Sequence, residues 1–171
     1  MDIQTCKFLA QYNHFANNGM NAFVGKLDDD QWNKDFGGYF KSIKELCNHI
    51  YLADFNWLKR FSRLRTFDYI KDSLFDRDLA FGTNPMAEVS DYLQKREALD
   101  KKLIQFVDEL RGEDLGMPLK YADSKGEYHT KNFGLLVFHV FNHSTHHRGM
   151  VSVYMDAMNI ENDFSNAASL A

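Results

Sequence analysis

Four of the seven histidines of this 171-residue chain are concentrated in one segment, "HVFNHSTHHRGM", at residues 139–150. His143 and His147 are four positions apart, a spacing that places two side chains one above the other on the same face of an α-helix. Two imidazoles in that arrangement can bind one metal ion, as in helical zinc sites. The segment therefore predicts a divalent metal site, and a hydrogen-bonded histidine cluster that binds no metal is the alternative.

A helical projection distinguishes the four histidines, because an α-helix turns by about 100° per residue. With Val140 at the centre of the apolar face, the apolar residues within roughly 40° of it are Phe133, Leu136, Val151, Tyr154 and Met158. His147 lies about 20° and His143 about 60° from that centre, so both are predicted to face the interior. His139 and His146 lie about 100° and 120° away, on a flank of the helix.

A catalytic site of the zinc type needs three protein ligands and one open coordination position, so another element must supply a histidine. His49 is the leading candidate because it lies in the middle of the second predicted helix. His14 in the first helix competes with it, and His129 in a hairpin is a weaker candidate. Since His49 lies about 100° from the centre of its helix's apolar face, spacing alone leaves the third ligand open.

Helical periodicity dominates the rest of the chain, which contains only two prolines. Ser42 and Glu45 form a capping-box pattern at the start of the second helix, and Asn84 followed by Pro85 predicts the start of the third. The long helices are predicted at about residues 3–24, 42–61, 84–110 and 130–158.

Two connections complete the expected architecture. Residues 64–84 lack a clean period and form a long connection with aromatic anchors, and residues 117–132 are typical of a small β-hairpin with its turn at 124–126. We therefore predict an all-α protein, a four-helix bundle with a long crossover connection and a small β-hairpin before the last long helix. One domain at residues 1–165 and a C-terminal tail at 166–171 are expected.

Composition excludes several classes of function. The net charge is −4 and no basic tract occurs, which argues against binding to nucleic acid. The first residues do not form a signal peptide, and the longest apolar run, "FGLLVFHVF", is too short to span a membrane. Cys6 and Cys47 lie outside any C-x-x-C motif, so we expect reduced thiols and a cytoplasmic protein.

Two segments, "ELCNHIYLADFNWL" and "HVFNHSTHHRGM", together with the hairpin "SKGEYHTKN", resemble the DinB/YfiT-like superfamily of metalloenzymes. The resemblance covers roughly residues 1–165, and the second histidine motif is its most specific part. It implies that His49, His143 and His147 are the metal ligands. It also implies nickel or zinc as the metal and a homodimer as the assembly.

The resemblance also implies a type of chemistry. Characterised members of this superfamily include bacillithiol S-transferases and mycothiol-dependent isomerases, and others are linked to amide hydrolysis. The leading hypothesis is a metal-dependent thiol S-transferase or hydrolase, with a low-molecular-weight thiol as a possible cofactor and a small molecule as substrate. The alternative is a non-catalytic stress-response binding module whose metal is structural or vestigial.

Residues around the motif carry further expectations. Met150 stands where the superfamily usually has glutamine, which removes a local hydrogen bond without removing a ligand. Arg148 matches the pattern and could orient an anionic substrate or bind a neighbouring carboxylate, and the second, structural role is the one expected. Gly149 is expected to permit close helix packing. Asp54, just over one turn beyond His49, is expected to be solvated or to support a ligand.

Overall fold

A computed structural model describes residues 1–170, so the last residue of the expected tail, at position 171, lies outside the described part. In chain order the regular elements are α1 (Ile3–Val24), α2 (Asp29–Asn33), α3 (Ile43–Phe61), α4 (Val89–Asp108), β1 (Pro118–Ala122), β2 (Tyr128–Asn132) and α5 (Phe133–Asp156). Helix α1 packs against α4 and α5, and α3 packs against the same two helices. The predicted four-helix bundle with a hairpin before its last helix is confirmed.

Three of the long helices begin where a side chain caps free backbone N–H groups. Asp2 accepts from the amide of Thr5 at 2.8 Å, and Ser42 accepts from the amide of Glu45 at 3.2 Å. The side chain of Asn132 caps α5. Because these interactions span only three residues, the sequence predicted the starts of α1, α3 and α5 closely.

Helix α4 begins at Val89, four residues later than predicted from Asn84 and Pro85. The side chain of Asn48 explains the delay. Its amide oxygen accepts from the amide of Met86 at 2.9 Å, and its Nδ2 donates to the carbonyl oxygen of the same residue at 3.0 Å. This pairing with a buried residue of α3 occupies the backbone groups of Met86 and keeps the segment out of the helix.

The segment between α1 and α3 contains a short helix that the sequence analysis missed. Asp28 and Gln31 form a capping box at the start of α2. Trp32 of this helix is fully buried, and its indole N–H donates to the carbonyl oxygen of Ala87 at 2.9 Å. Helix α2 therefore anchors both the loop before α3 and the loop before α4.

The long connection between α3 and α4 contains two single turns of 3₁₀-helix, Tyr69–Lys71 and Ser73–Phe75. In the hairpin, β1 pairs antiparallel with β2 and Tyr121 lies opposite His129. The turn contains Gly126 with φ of 83°, a left-handed conformation that glycine adopts without strain. Neither connection contributes a residue to the histidine cluster described below.

The interior of the bundle combines aromatic packing with a buried charge network. Arg96 donates to Asp54 at 2.8 Å and to Asp100 at 2.7 Å, and all three side chains are at most 1% exposed. Arg148 donates to the side-chain oxygen of Asn17 at 2.9 Å, and Asn17 donates to Asp100 at 2.9 Å. This network joins all four long helices and therefore fixes the position of α5 relative to α3.

No helix within residues 1–170 has the length and apolar character required to cross a membrane.

Candidate metal centre

Three histidines from two helices converge at the interface between α3 and α5. His49 comes from the first half of α3, and His143 and His147 lie one turn apart in the middle of α5. Nε2 of His49 lies 3.0 Å from Nε2 of His143. The ring centroid of His147 lies 4.5 Å from that of His49 and 4.4 Å from that of His143. The structure thus brings together the three residues that the sequence analysis proposed as ligands.

The environment of the cluster favours neutral imidazoles. Burial lowers the pKa of His49. Burial, together with repulsion from His147 and His49, lowers the pKa of His143 to about 3. Burial and the neighbouring His49 lower the pKa of His147 to about 4. All three rings are therefore neutral at pH 7, which is the protonation state that binds metal ions.

The donor geometry fits a small divalent cation. One nitrogen of each ring lies within 4.8 Å of a nitrogen of the other two. A tetrahedral zinc ion with bonds of about 2.0–2.1 Å requires ligand nitrogens about 3.3–3.4 Å apart, so small side-chain movements suffice to meet it. The three-histidine cluster could therefore hold a divalent metal ion. The group contains three donors and, within the described residues, no carboxylate or thiolate that would close the site.

Aromatic packing, rather than hydrogen bonding, orients the rings. Within residues 1–170, the buried Nδ1 atoms of His143 and His147 have no hydrogen-bond partner, although metal-binding histidines usually donate from the second nitrogen. Phe40 instead contacts two rings of the cluster. Its ring is tilted against that of His49, with the ring centroids 4.4 Å apart, and lies edge-on to that of His147, with the centroids 5.4 Å apart.

The loop that carries Phe40 connects α2 with α3 and is fastened to α5. Tyr154 donates from its hydroxyl to the carbonyl oxygen of Phe40 at 2.6 Å, and its ring stacks on Phe36 at 4.3 Å. Glu45 accepts from the amide of Lys41 at 2.8 Å, and not from that of Ser42 as the predicted capping box requires. The sequence pattern did not predict the role of Phe40, and its position two residues before the helix-capping Ser42 was the only local signal.

A pocket of about 220 Å³ opens next to the cluster on the side of His49. Aromatic, polar and acidic side chains line it together, and its lining residues are Tyr39, Phe40, Glu45, His49, Leu52, Gly82, Thr83 and Asn84. The long connection before α4 thus forms one wall, and the loop before α3 forms another. A small molecule in this pocket would contact the imidazole of His49 directly.

The remaining histidines lie outside the cluster. His139 and His146 are exposed, as the helical projection predicted. Nε2 of His14 lies 3.0 Å from Nδ2 of Asn18 in the same helix. His129 pairs with Asp123 at 2.9 Å in the hairpin, where these two and Glu127 form a second, more exposed group of possible ligands. Neither of the competing third ligands reaches His143 or His147.

Three residues around the motif depart from expectation. Asp54 is neither solvated nor in contact with the cluster, because it is fully buried and paired with Arg96. Arg148 is structural, as expected, but it binds the amide oxygens of Asn13 and Asn17 in place of a carboxylate. Gly149 is exposed, and a Cβ atom there would meet nothing within 4 Å, so it serves no close packing inside the chain.

Comparison with known proteins gives consistent matches over nearly the whole chain. The model of the DinB family matches residues 2–160. Protein DinB of Bacillus subtilis (strain 168) is 24% identical over 147 residues, which cover 86% of this chain and 82% of that protein. The crystal structure of a DinB-like protein from Bacillus subtilis is similar with a TM-score of 0.62. That similarity covers 92% of this chain and 96% of the other at 18% identity, and it supports the fold alone.

Proposed function

The chain belongs to the DinB family, and on that premise we propose that it is a metal-dependent enzyme with one divalent ion on His49, His143 and His147. The observation that carries this proposal is the convergence of three neutral imidazoles from α3 and α5 within 4.8 Å. Zinc and nickel are the proposed metals, because both accept imidazole ligands readily.

The proposed reaction is thiol S-transfer or hydrolysis, with a low-molecular-weight thiol as co-substrate in the first case. When bound at three neutral ligands, a divalent ion lowers the pKa of a water molecule or a thiol and so supplies a nucleophile near neutral pH. The chain contributes the pocket beside His49, which is large enough for a small substrate. Phe40 covers His49 and His147 and thereby limits the access of bulk water to their rings.

The number of ligands favours an enzyme over a structural metal site. Structural zinc sites are closed by four protein ligands, whereas catalytic sites keep one position for water or substrate. A fourth ligand would have to come from His139, from His146 or from a carboxylate. Both histidines are exposed, and the three-residue group contains no fourth histidine and no carboxylate. The group therefore lacks the fourth donor that a non-catalytic, structural metal would require.

We also propose a homodimer formed along the outer face of α5. Leu135, Phe138 and Val153 are 69%, 49% and 62% exposed. Together with Gly149, they lie within about 60° of one another on the outward face of the helix. Exposed apolar patches of this kind are typical of interaction surfaces, and a glycine lets a partner helix approach closely.

Buried and unpaired Cys6 and Cys47 support a reducing compartment. We therefore propose that the protein is cytoplasmic.

Activity assays on metal-loaded protein test the proposed reaction. The protein is assayed for thiol transfer to monobromobimane and for hydrolysis of amide p-nitroanilides, beside chelator-treated protein and the His147→Ala variant. We expect one of the two reactions, lost on chelation and in the variant. Protein that holds its metal but catalyses neither reaction would favour the alternative, a stress-response binding module with a structural or vestigial metal.

A further inference from the structure

A second pocket, also of about 220 Å³, lies at the C-terminal end of α3 and carries an excess of positive charge. Its lining contains three cationic side chains and a single acidic one, and the residues are Asn56, Lys59, Arg60, Arg63, Asp78 and Ala122. Lys59 pairs with Asp78 at 2.6 Å. Arg60 and Arg63 therefore remain as the two cationic side chains of the pocket without an ion-pair partner, in a protein whose net charge is −4.

The guanidinium of Arg60 is held in a fixed position by its neighbours. Its Nε donates to the carbonyl oxygen of Ala122 at 3.1 Å. The group also lies over three aromatic rings, at 4.8 Å from the centroid of Trp57, 5.5 Å from Phe81 and 5.6 Å from Tyr121. A planar guanidinium braced in this way loses little conformational entropy when it binds an oxyanion with two nitrogens.

The two terminal nitrogens of Arg60 are free to make that interaction. Within residues 1–170 they have no hydrogen-bond acceptor, and neither Arg60 nor Arg63 forms an ion pair. Asp123, whose negative charge acts on Arg60, is already engaged, because it pairs with His129 and accepts from two backbone amides of its turn. Burial lowers the pKa of Arg60 and outweighs the opposing influence of Tyr121 and Asp123, and the positive charge of Arg63 lowers it further. An anion bound here would stabilise both guanidinium groups.

We propose that this pocket binds the anionic group of a small molecule, a carboxylate or a phosphate, on Arg60 and Arg63. Both classes of group present paired oxygens that match the fork of a guanidinium. Residues 49 and 60 lie about 20° apart around α3 and about three turns apart along it, so the pocket opens on the same face as His49. The anion site requires no metal ion and stands independently of the reaction proposed for the histidine cluster.

Isothermal titration calorimetry with inorganic phosphate and, separately, with succinate tests the proposal and distinguishes the two anions. Three variants accompany the parent protein. Arg63→Gln removes an exposed charge, Arg60→Lys keeps the charge but removes the planar fork, and Lys131→Gln removes an exposed charge on β2 as a matched control. We expect the parent to bind at least one anion, Arg63→Gln and Arg60→Lys to weaken it on the order of tenfold, and Lys131→Gln to leave it unchanged.

Phosphate also binds metal ions, so the titrations are repeated with His147→Ala protein, in which we expect the same anion affinity. Loss of anion binding in that variant would assign the anion to the metal centre and overturn the proposal. The proposal also fails if the parent binds neither anion, if Arg63→Gln or Arg60→Lys binds as the parent does, or if Lys131→Gln weakens binding as much as Arg63→Gln.

Discussion

Nε2 of His49 and Nε2 of His143 face each other at 3.0 Å, although 94 positions separate the two residues in the chain. At this distance two N–H groups would clash, so at most one of the facing nitrogens carries a proton when both rings are neutral. With neither protonated there, two lone pairs converge, and the ring of His147 adds a third nitrogen within 4.8 Å. The packing of α3 on α5 thus assembles a set of donors that one cation would satisfy.

Removing the ring of Phe40 should weaken metal binding without removing a ligand. The ring contacts His49 and His147, whose orientation depends on packing because His147 has no hydrogen-bond partner at Nδ1 within the described residues. We expect Phe40→Ala to raise the dissociation constant for zinc about tenfold or more, as loss of a supporting contact does in other metal sites. Competition with a chromophoric chelator measures the constant.

The matched control for that experiment is the neighbouring Tyr39→Ala. The side chain of Tyr39 is 91% exposed, so its removal should leave the zinc affinity unchanged. Phe40→Leu, which keeps apolar volume over the rings, should restore part of the affinity. Equal affinities for Phe40→Ala and Tyr39→Ala would show that the loop before α3 does not orient the ligands.

Breaking the buried ion pair of Asp54 should destabilise the whole bundle. The Asp54→Asn substitution leaves the guanidinium of Arg96 buried beside a neutral amide, with Asp100 as its remaining charged partner. We expect a loss of about 3–5 kcal/mol in the free energy of unfolding, measured by urea denaturation. Asp91→Asn breaks a more exposed pair with Lys95 and should cost at most about 0.5 kcal/mol. Similar losses of unfolding free energy in Asp54→Asn and Asp91→Asn would show that the buried pair of Asp54 and Arg96 stabilises the fold no more than an exposed pair does.

The pair of Arg65 and Asp114 should make stability depend on pH in the acid range. Burial alone raises the pKa of Asp114, but hydrogen bonds from Arg65 and from the backbone N–H of Arg111 outweigh it and keep that pKa below its ordinary value. A carboxyl group with a lowered pKa in the folded state stabilises the fold above its unfolded-state pKa of about 3.9. That contribution disappears as the pH falls through the pKa of the folded state.

The Asp114→Asn variant isolates this contribution. At pH 7 we expect the variant to be less stable than the parent by about 1–3 kcal/mol, because a charged hydrogen-bond acceptor is lost. The difference should shrink as the pH falls below about 4, where the carboxylate of the parent itself becomes protonated. Urea denaturation at a series of pH values measures it. A difference that stays constant across the acid range would rule out the ion pair as its cause.

A charge on the outer face of α5 should dissociate the proposed homodimer. Phe138 is 49% exposed on the same face as Leu135 and Val153. We expect analytical ultracentrifugation to give a dimer for the parent and a monomer for Phe138→Glu, because a buried and unpaired carboxylate is costly at an interface. Tyr128→Glu, at a 71% exposed position of the hairpin, should remain dimeric. A monomeric parent protein would refute the proposed assembly.

Local interactions explain why the sequence predicted so much of the fold. The caps at Asp2 and Ser42 involve residues three positions apart, and the apolar periodicity of α1, α3 and α5 reflects burial on one face. The start of α4 was predicted wrongly because the deciding contact joins Met86 to Asn48, which lies 38 positions away. Asn84 and Pro85 form a good local start signal for a helix. The contact between Met86 and Asn48 overrides it, and a short stretch of sequence cannot reveal that contact.

In the candidate site, too, spacing within one helix predicted some residues, whereas contacts between distant parts of the chain determined the others. Spacing within α5 selected His143 and His147 and assigned His139 and His146 to the flank, where they lie exposed. His49 could not be chosen from its own helix, because its position depends on how α3 packs against α5. Phe40 and the partners of Arg96 escaped detection for the same reason, since their contacts lie in other elements of the chain.

The central claim is that His49, His143 and His147 hold one metal ion, and elemental analysis of protein purified without a metal-affinity tag tests it most directly. The parent is compared with His147→Ala and with His146→Ala, a matched control that removes an exposed histidine from the same helix. We predict close to one zinc or nickel ion per chain in the parent and in His146→Ala, and none in His147→Ala. A parent protein that contains no metal and takes up none on titration would contradict the claim, as would a His147→Ala variant that retains the full metal content.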